Sequence, residues 1–165
     1  MLKVKMIYLW YMAHIHEKID WTVTVFIVCG GKVLVRKHEK YHIWLGVGGH
    51  IELDEDPIQA GKRECIEEVG LEVIIGGEEE YRGQGNDRTN IPPPAFMNRH
   101  FVSDVHEHID FIYFARSESD RVIPENETDS WLWLTKTEVL EHPEISETIK
   151  KYAVAALDFY TKQTV

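Results

Sequence analysis

The segment from Asp56 to Gly70 constrains the fold most, because helix signals mark both of its ends. Asp56 is a favoured N-cap residue, Pro57 suits the first helical position, and Gln59 completes a capping box. Gly70 is a typical helix stop. The sequence therefore predicts a helix from Asp56 to Val69. Four apolar side chains are expected to seat this helix on a sheet: Ile58, Cys65, Ile66 and Val69.

Extended segments surround this helix. Trp21–Val28 is β-branched and aromatic, and a turn at Gly30-Gly31 joins it to the alternating segment Lys32–Lys37. We expect an extended segment at 42–51, strands at 71–75, 99–102, 108–115 and 131–134, helices at 135–140 and 146–160, and a loop at 76–94. Because strands and helices interleave, the predicted fold class is α/β (α+β), a sandwich around a mixed sheet.

The length and charge of the chain limit its class of function. Its 165 residues, 44% of them hydrophobic, suit one domain spanning 1–165, with residues 1–12 as a possible N-terminal extension. The 28 acidic residues outnumber the 18 basic ones and give a net charge of −10, which disfavours nucleic acid and anionic membranes as partners.

The two Cys residues lack metal-ligand spacing, which favours free thiols and a cytoplasmic location. The apolar segment 6–13 is too short to span a membrane, and three interpretations stay open: a packed strand, a homodimer contact, or a start codon that is really Met12.

Three carboxylates lie on one face of the predicted helix. Glu64, Glu67 and Glu68 have the spacing of i, i+3 and i+4. Such neighbours repel one another and, near the C-terminal end of a helix, oppose its dipole. The arrangement weakens the fold unless a cation binds, and hard divalent ions such as Mg²⁺ or Mn²⁺ prefer oxygen ligands. Taken alone, however, this short pattern is more typical of a solvated acidic face.

A longer motif encloses these carboxylates. It consists of glycine, five residues, Glu, seven residues, Arg-Glu, an apolar residue, any residue, Glu-Glu, any residue, glycine and an apolar residue. Its specified positions are filled by Gly49, Glu55, Arg63, Glu64, Cys65, Glu67, Glu68, Gly70 and Leu71. This is the Nudix box, and the chain therefore resembles the Nudix hydrolase family. The flanking segment Trp44–Glu52 and the strand order extend the resemblance from Trp21 onward; one departure is Gly46, where relatives often carry Pro.

The resemblance implies a Nudix-like α/β/α sandwich that cleaves a diphosphate linkage with Mg²⁺, or with Mn²⁺. In the family the box helix carries the metal ligands, which by position are Glu64, Glu67 and Glu68, with the carbonyl oxygen of Gly49 as a further candidate. Glu55 and Arg63 would form an ion pair that fixes the loop against the helix. Gly48 would let the backbone approach a phosphate.

The resemblance also implies a general base that takes a proton from the attacking water. Glu64 and Glu67 are the candidates in the box, and we group Arg63 with them as catalytic. Relatives also use a Glu outside the box. The acidic loop before Trp131 offers Glu125 and Glu127 as an extra base or ligand, although a solvated turn is the simpler interpretation of this loop.

Residues outside the box are candidates for binding substrate. Trp44 could stack on a base, although strand aromatics are more often core residues. Arg88 and Arg99, in and beside the long loop, could clamp a phosphate. The pairs His14/His16 and His106/His108 each place two imidazoles on one strand face, but zinc would need more ligands. Surface or hydrogen-bonded core positions are favoured for these His residues, with a substrate role for His106 or His108 as the alternative.

The implied function is hydrolysis of a nucleoside diphosphate linked to another group, or of a nucleoside triphosphate. The enzyme would act on a small molecule in the cytoplasm, as a possible homodimer. A non-catalytic nucleotide-sensing domain on the same scaffold is an alternative, disfavoured because every box carboxylate is present. Isoprenoid diphosphate isomerase chemistry is a second alternative, disfavoured because Cys65 is expected to face the core.

Overall fold

The computed structural model describes residues 15–38, 42–77, 90–126 and 128–162. The apolar segment 6–13 and residues 78–89 of the predicted loop lie outside these described residues. The strands are β1 (Ile19–Cys29), β2 (Lys32–Lys37), β3 (Trp44–Leu45), β4 (Val47–His50), β5 (Ile74–Ile75), β6 (Phe96–Ser103), β7 (His106–Arg116) and β8 (Ser130–Leu134). The helices are α1 (Pro57–Val69), α2 (Lys136–Glu141) and α3 (Glu147–Thr161).

All eight strands of the described residues belong to one mixed sheet. At its centre β1 and β7 run parallel, in register from Ile19 opposite Glu107 to Val28 opposite Arg116. The other pairs are antiparallel: β2 and β4 pair with β1, β3 and β8 with β2, and β5 and β6 with β7. The chain therefore enters α1 from β4, a strand that lies beside the central β1.

Apolar side chains cover both faces of the sheet, so the α/β/α sandwich is confirmed. One cluster joins Val23, Val25 and Ile27 of β1 to Cys65 and Val69 of α1. The other joins β1 and β7 to α3 through Phe26, Val28, Phe114, Tyr152 and Ala156. Successive strand residues point to opposite faces, which is why neighbouring residues of β1 belong to different clusters.

The predicted caps of α1 are confirmed. The Asp56 side chain accepts hydrogen bonds from the amides of Ile58 and Gln59 at 2.8 and 2.9 Å. In return the Gln59 side chain accepts from the Asp56 amide at 2.9 Å. Gly70 ends the helix in the left-handed region, at φ 67°. These bonds satisfy amides and carbonyls that a helix leaves open at its ends.

For one of the four residues predicted to pack α1 against the sheet, the prediction is wrong. Cys65 and Val69 are buried and Ile58 is half-buried, whereas Ile66 is 55% exposed. Ile66 follows Cys65 by one position, which turns it about 100° around the helix from the packed side. Gly61 is buried in its place, and a methyl group there would lie 3.0 Å from Val25 Cγ2. A small residue thus lets α1 approach the sheet closely.

The remaining differences lie at strand ends. β6 begins at Phe96 and β7 at His106, earlier than predicted, because their pairing continues beyond the alternating apolar residues. The predicted strand at 71–75 shortens to Ile74–Ile75, since the Leu71 amide bonds back to the Cys65 carbonyl at the helix end. Among the helices of the described residues, none has the length and apolar character that crossing a membrane requires.

Candidate active site

Arg63 on α1 is the centre of an ion-pair network. Its guanidinium donates to both carboxylate oxygens of Glu55, from Nε at 2.7 Å and from Nη2 at 2.9 Å. Nη1 donates to Glu64 at 2.7 Å and to Glu67 at 3.0 Å, and Nη2 also reaches the His50 carbonyl at 3.0 Å. The Glu55–Arg63 pair that the resemblance implied is therefore present, and it fastens the loop and β4 to the helix.

Glu68 is held by residues from two strands. Its Oε1 accepts from Arg36 Nη1 of β2 at 2.8 Å, and its Oε2 accepts from the Gly48 amide of β4 at 3.1 Å. Arg36 Nη2 also lies 3.4 Å from Asp129 Oδ2, so this cation bridges two carboxylates. Asp129 is 7% exposed, and its Oδ1 has no hydrogen-bond partner among the described residues.

Gly48 and Gly49 make close contacts on opposite sides of β4. A methyl group at Gly49 would lie 2.5 Å from Glu64 Oε1, so a larger residue would displace that carboxylate from its place against the backbone. A methyl group at Gly48 would lie 1.9 Å from the Val23 carbonyl oxygen of β1. Gly48 is thus needed for sheet pairing and for holding Glu68, whichever ligand the site takes.

The acidic loop before β8 reaches the end of α1. The Glu125 amide donates to the Glu68 carbonyl at 3.2 Å, and the Ile123 amide donates to the Val69 carbonyl at 2.9 Å. Ile123 also packs against Gly70, where a methyl group would lie 2.7 Å from its Cβ. The structure therefore brings Glu125 beside the carboxylate face of the helix. Glu127 lies outside the described residues.

Burial perturbs the carboxylates that face this site. It raises the pKa of Glu68 to about 7, against the opposing effects of Arg36 and the Gly48 amide. Burial also raises the pKa of Glu64, although its bond to Arg63 acts in the other direction. Glu55 behaves differently, because hydrogen bonds from Arg63 lower its pKa. Two neighbouring carboxylates thus carry an electrostatic cost that a bound cation would relieve.

The donor set suits a hard divalent cation. The Glu64 and Glu68 side chains are each 13% exposed and Glu67 is 55% exposed, so the face runs from a sheltered floor to open solvent. Its donors are carboxylate oxygens, with backbone groups of Gly48 and Gly49 adjacent. Oxygen ligands of this kind, left with room for water, are what Mg²⁺ and Mn²⁺ prefer.

The predicted substrate residues have mixed outcomes. Trp44 is 8% exposed and belongs to the core cluster on the face of α3, where its indole donates to Glu144 at 3.1 Å. The structure thus places Trp44 in the core and not beside the carboxylates of the box. Arg99 is 58% exposed on β6 and forms an ion pair with Glu107. Arg88 lies outside the described residues.

Sequence reasoning missed Arg36 and Asp129. Arg36 follows the apolar residues Val33, Leu34 and Val35 near the end of β2, and its side chain is only 12% exposed. A charged residue in that position was the one available signal, because burial of a guanidinium requires paired anions. Its two partners lie far away in the sequence, so no local pattern identifies them.

Comparisons with known proteins agree with this geometry. A family model described as the NUDIX domain matches residues 18–156. A hydrolase of the NUDIX family from Clostridium perfringens is 34% identical, with a TM-score of 0.75, and the match covers 86% of this chain and 97% of that one. No match was found among curated proteins.

Two further solved structures share the fold at lower identity. The MutT protein from Methanosarcina mazei Go1 is 17% identical with a TM-score of 0.63, covering 90% of this chain and 99% of that one. The dihydroneopterin triphosphate pyrophosphohydrolase of E. coli is 14% identical with a TM-score of 0.57, covering 88% and 99%. Since the family model spans most of the chain, and the structure assembles the box around Arg63, the protein belongs to the Nudix family of hydrolases, which act on phosphoric anhydride bonds.

Proposed function

We propose that this protein is a Mg²⁺-dependent pyrophosphohydrolase whose metal ligands are Glu64, Glu67 and Glu68, with the Gly49 carbonyl as a further candidate. Its substrate would be a nucleoside diphosphate linked to another group, or a nucleoside triphosphate. The observation that carries the proposal is the pair of sheltered carboxylates, Glu64 and Glu68, which are 13% exposed and have raised pKa values.

The chemistry follows from charge. The negative charge of a diphosphate repels an attacking hydroxide, and a bound Mg²⁺ would offset that charge and lower the pKa of the water. Glu64 or Glu67 would take the proton as the water oxygen bonds to phosphorus and the bridging oxygen–phosphorus bond breaks. Arg63 would hold both carboxylates in place through its bonds of 2.7 and 3.0 Å. Glu125, beside the end of α1, is the candidate base outside the box.

Structural neighbours support the substrate class without selecting one compound. One is a dihydroneopterin triphosphate pyrophosphohydrolase and another is a UDP-X diphosphatase, the latter 14% identical with a TM-score of 0.59. UDP-X is a nucleoside diphosphate linked to another group, as proposed here, whereas dihydroneopterin triphosphate is a triphosphate without a nucleoside and bears only on the anhydride bond. Arg99 is retained as a candidate for binding the distal phosphate, because its guanidinium is accessible from solvent.

A metal-dependent release screen tests the proposal. The full chain would be assayed against nucleotide sugars, dinucleoside polyphosphates and nucleoside triphosphates, with Mg²⁺ and with EDTA. We expect turnover of at least one class with Mg²⁺ only. Glu67→Gln and Glu68→Gln should each lower kcat by about 100-fold or more while circular dichroism stays native. Glu72→Gln, at an exposed position beyond the helix, is the matched control.

Two outcomes would contradict the proposal. Full activity of both box variants with Mg²⁺ would show that these carboxylates do not hold the metal. No turnover of any compound in the panel, together with nucleotide binding by the wild type, would favour the sensing alternative.

The proposal places the enzyme in the cytoplasm as a possible homodimer. Both Cys residues are free thiols, which suits a reducing compartment. Light scattering on the purified full chain would measure its mass; a monomer at micromolar concentration would remove the dimer from the proposal.

A further inference from the structure

A second group of metal-binding side chains lies where β1 and β7 begin. Asp20 of β1 stands opposite His108 of β7 in the parallel register, and His106 precedes His108 by two residues on the same face. Asp20 is fully buried and His106 is 5% exposed. His50, the last residue of β4, pairs with Thr22 and so lies one strand away. Four strand positions thus bring one carboxylate and three imidazoles together.

Two distances within this group, both from Asp20, are those of a tetrahedral site. Asp20 Oδ2 lies 3.2 Å from His106 Nε2 and 3.3 Å from His50 Nε2. The ligand atoms of Asp20, His106 and His108 all lie within 4.8 Å of one another. Ligands at about 2.0–2.1 Å from a tetrahedral ion are separated by about 3.3 Å, so the first two distances already equal tetrahedral edges.

Backbone groups orient the two most buried side chains. The amides of His16 and Ile15 donate to the Asp20 carboxylate at 2.6 and 3.1 Å. His106 Nδ1 lies 3.4 Å from the Glu17 carbonyl oxygen, which leaves Nε2 on the side of Asp20. Metal-binding His residues commonly have this arrangement, in which one ring nitrogen bonds to the backbone and the other faces the ion.

We propose that Asp20, His106 and His108, with His50 as the fourth ligand, form a binding site for a divalent transition ion of the Zn²⁺ class. This site differs in chemistry from the box. Imidazole nitrogens with one carboxylate select Zn²⁺ or Co²⁺, whereas the all-oxygen face of α1 selects Mg²⁺. Of these four ligands the sequence pattern pairs His106 with His108, and the other two come from β1 and β4.

Because of the position of His50, an ion bound at this group would also affect the structure around the box. The His50 carbonyl accepts a hydrogen bond from Arg63, so its side chain and backbone connect the two sites. An ion bound at this group would fix β4 against β1 and β7 at the start of the box. Binding to the native state alone should therefore raise the unfolding temperature.

Cobalt titration of the untagged, metal-free full chain tests this site. Four-coordinate Co²⁺ absorbs strongly in the visible range, so the readout does not depend on activity. We expect one equivalent of Co²⁺ to give this spectrum, excess Mg²⁺ to leave it in place, and Zn²⁺ to displace it. His106→Asn and His108→Asn should each weaken binding by about 100-fold or more. His142→Asn, at the end of α2, is the matched His control.

Variants of the box separate the two sites. The pair Glu67→Gln and Glu68→Gln should leave the cobalt spectrum unchanged if the ion binds at the His group. Loss of the spectrum in these variants, its absence in the wild type, or full retention in both His variants would overturn the proposal. Should His106→Asn fail to fold, His108→Asn decides, because His108 is less buried.

Discussion

Replacing Glu68 with Gln is expected to change how the stability of the metal-free protein depends on pH. Burial raises the pKa of this carboxyl to about 7 from its ordinary value of 4.5. Because the native state then holds the proton more tightly than the unfolded state, its stabilising effect is complete below about pH 4.5. That effect is lost as the pH rises through about 7.

The magnitude follows from the two pKa values. Their difference is about 2.5, and at about 1.36 kcal/mol for each unit the loss amounts to about 3 kcal/mol. The side chain is only 13% exposed, so solvent screening reduces this little. At a urea m-value of about 2 kcal/mol/M, the unfolding midpoint should move by roughly 1–2 M relative to the Gln variant.

The assay is urea unfolding in EDTA from about pH 4 to about pH 8.5, for wild type and Glu68→Gln. The variant removes one partner of Arg36, but an arginine stays charged over this range, so that effect adds a constant offset. Added Mg²⁺ should remove most of the wild-type loss at high pH. Parallel stability curves in EDTA for the two proteins would refute the reasoning, and Glu72→Gln should give such parallel curves as the control.

Four further substitutions test the contacts around the site. Gly49→Ala would place a methyl group 2.5 Å from Glu64 Oε1, so we expect a Mg²⁺ requirement raised by about 10-fold or more, measured by metal titration of turnover. Glu55→Gln leaves Arg63 one acceptor oxygen in place of two and removes the negative charge, so it should cost about 1–3 kcal/mol in urea unfolding; an unchanged midpoint would contradict this. Ile66→Ser should change the free energy of unfolding by less than about 0.5 kcal/mol, because Ile66 is exposed. Cys65→Ser buries a hydroxyl and should cost about 1–3 kcal/mol. Equal effects of the two substitutions would show that the buried face of α1 is assigned wrongly.

The sequence was sufficient for features that depend on neighbours along the chain. The caps of α1 involve residues two or three positions apart, and the structure has them as predicted. The spacing of Glu64, Glu67 and Glu68 is also local, and Arg63 contacts two of them. Such features follow from helix geometry alone, because 3.6 residues complete each turn.

Burial was predicted less well, because the apolar character of a side chain does not say which way that side chain points. Ile66 is as apolar as Val69 but points away from the sheet, so it is exposed. Trp44, a candidate for stacking on substrate for which a core position was the favoured interpretation, packs in the cluster beneath α3. Which side of an element meets a neighbour depends on how that element docks, and a single sequence does not give the docking.

The box segment, Gly49 to Leu71, shows which features follow from the sequence and which depend on the tertiary structure. By itself the sequence determined the helix, its caps, the shared face of its carboxylates and the family to which the motif belongs. Only the tertiary structure joined Arg36 to Glu68 across 32 residues, and Asp20 to His106 and His108 across the parallel strands. Hydrogen bonds within a helix are fixed by local geometry, whereas contacts between distant strands depend on sheet order and register, which long-range packing decides.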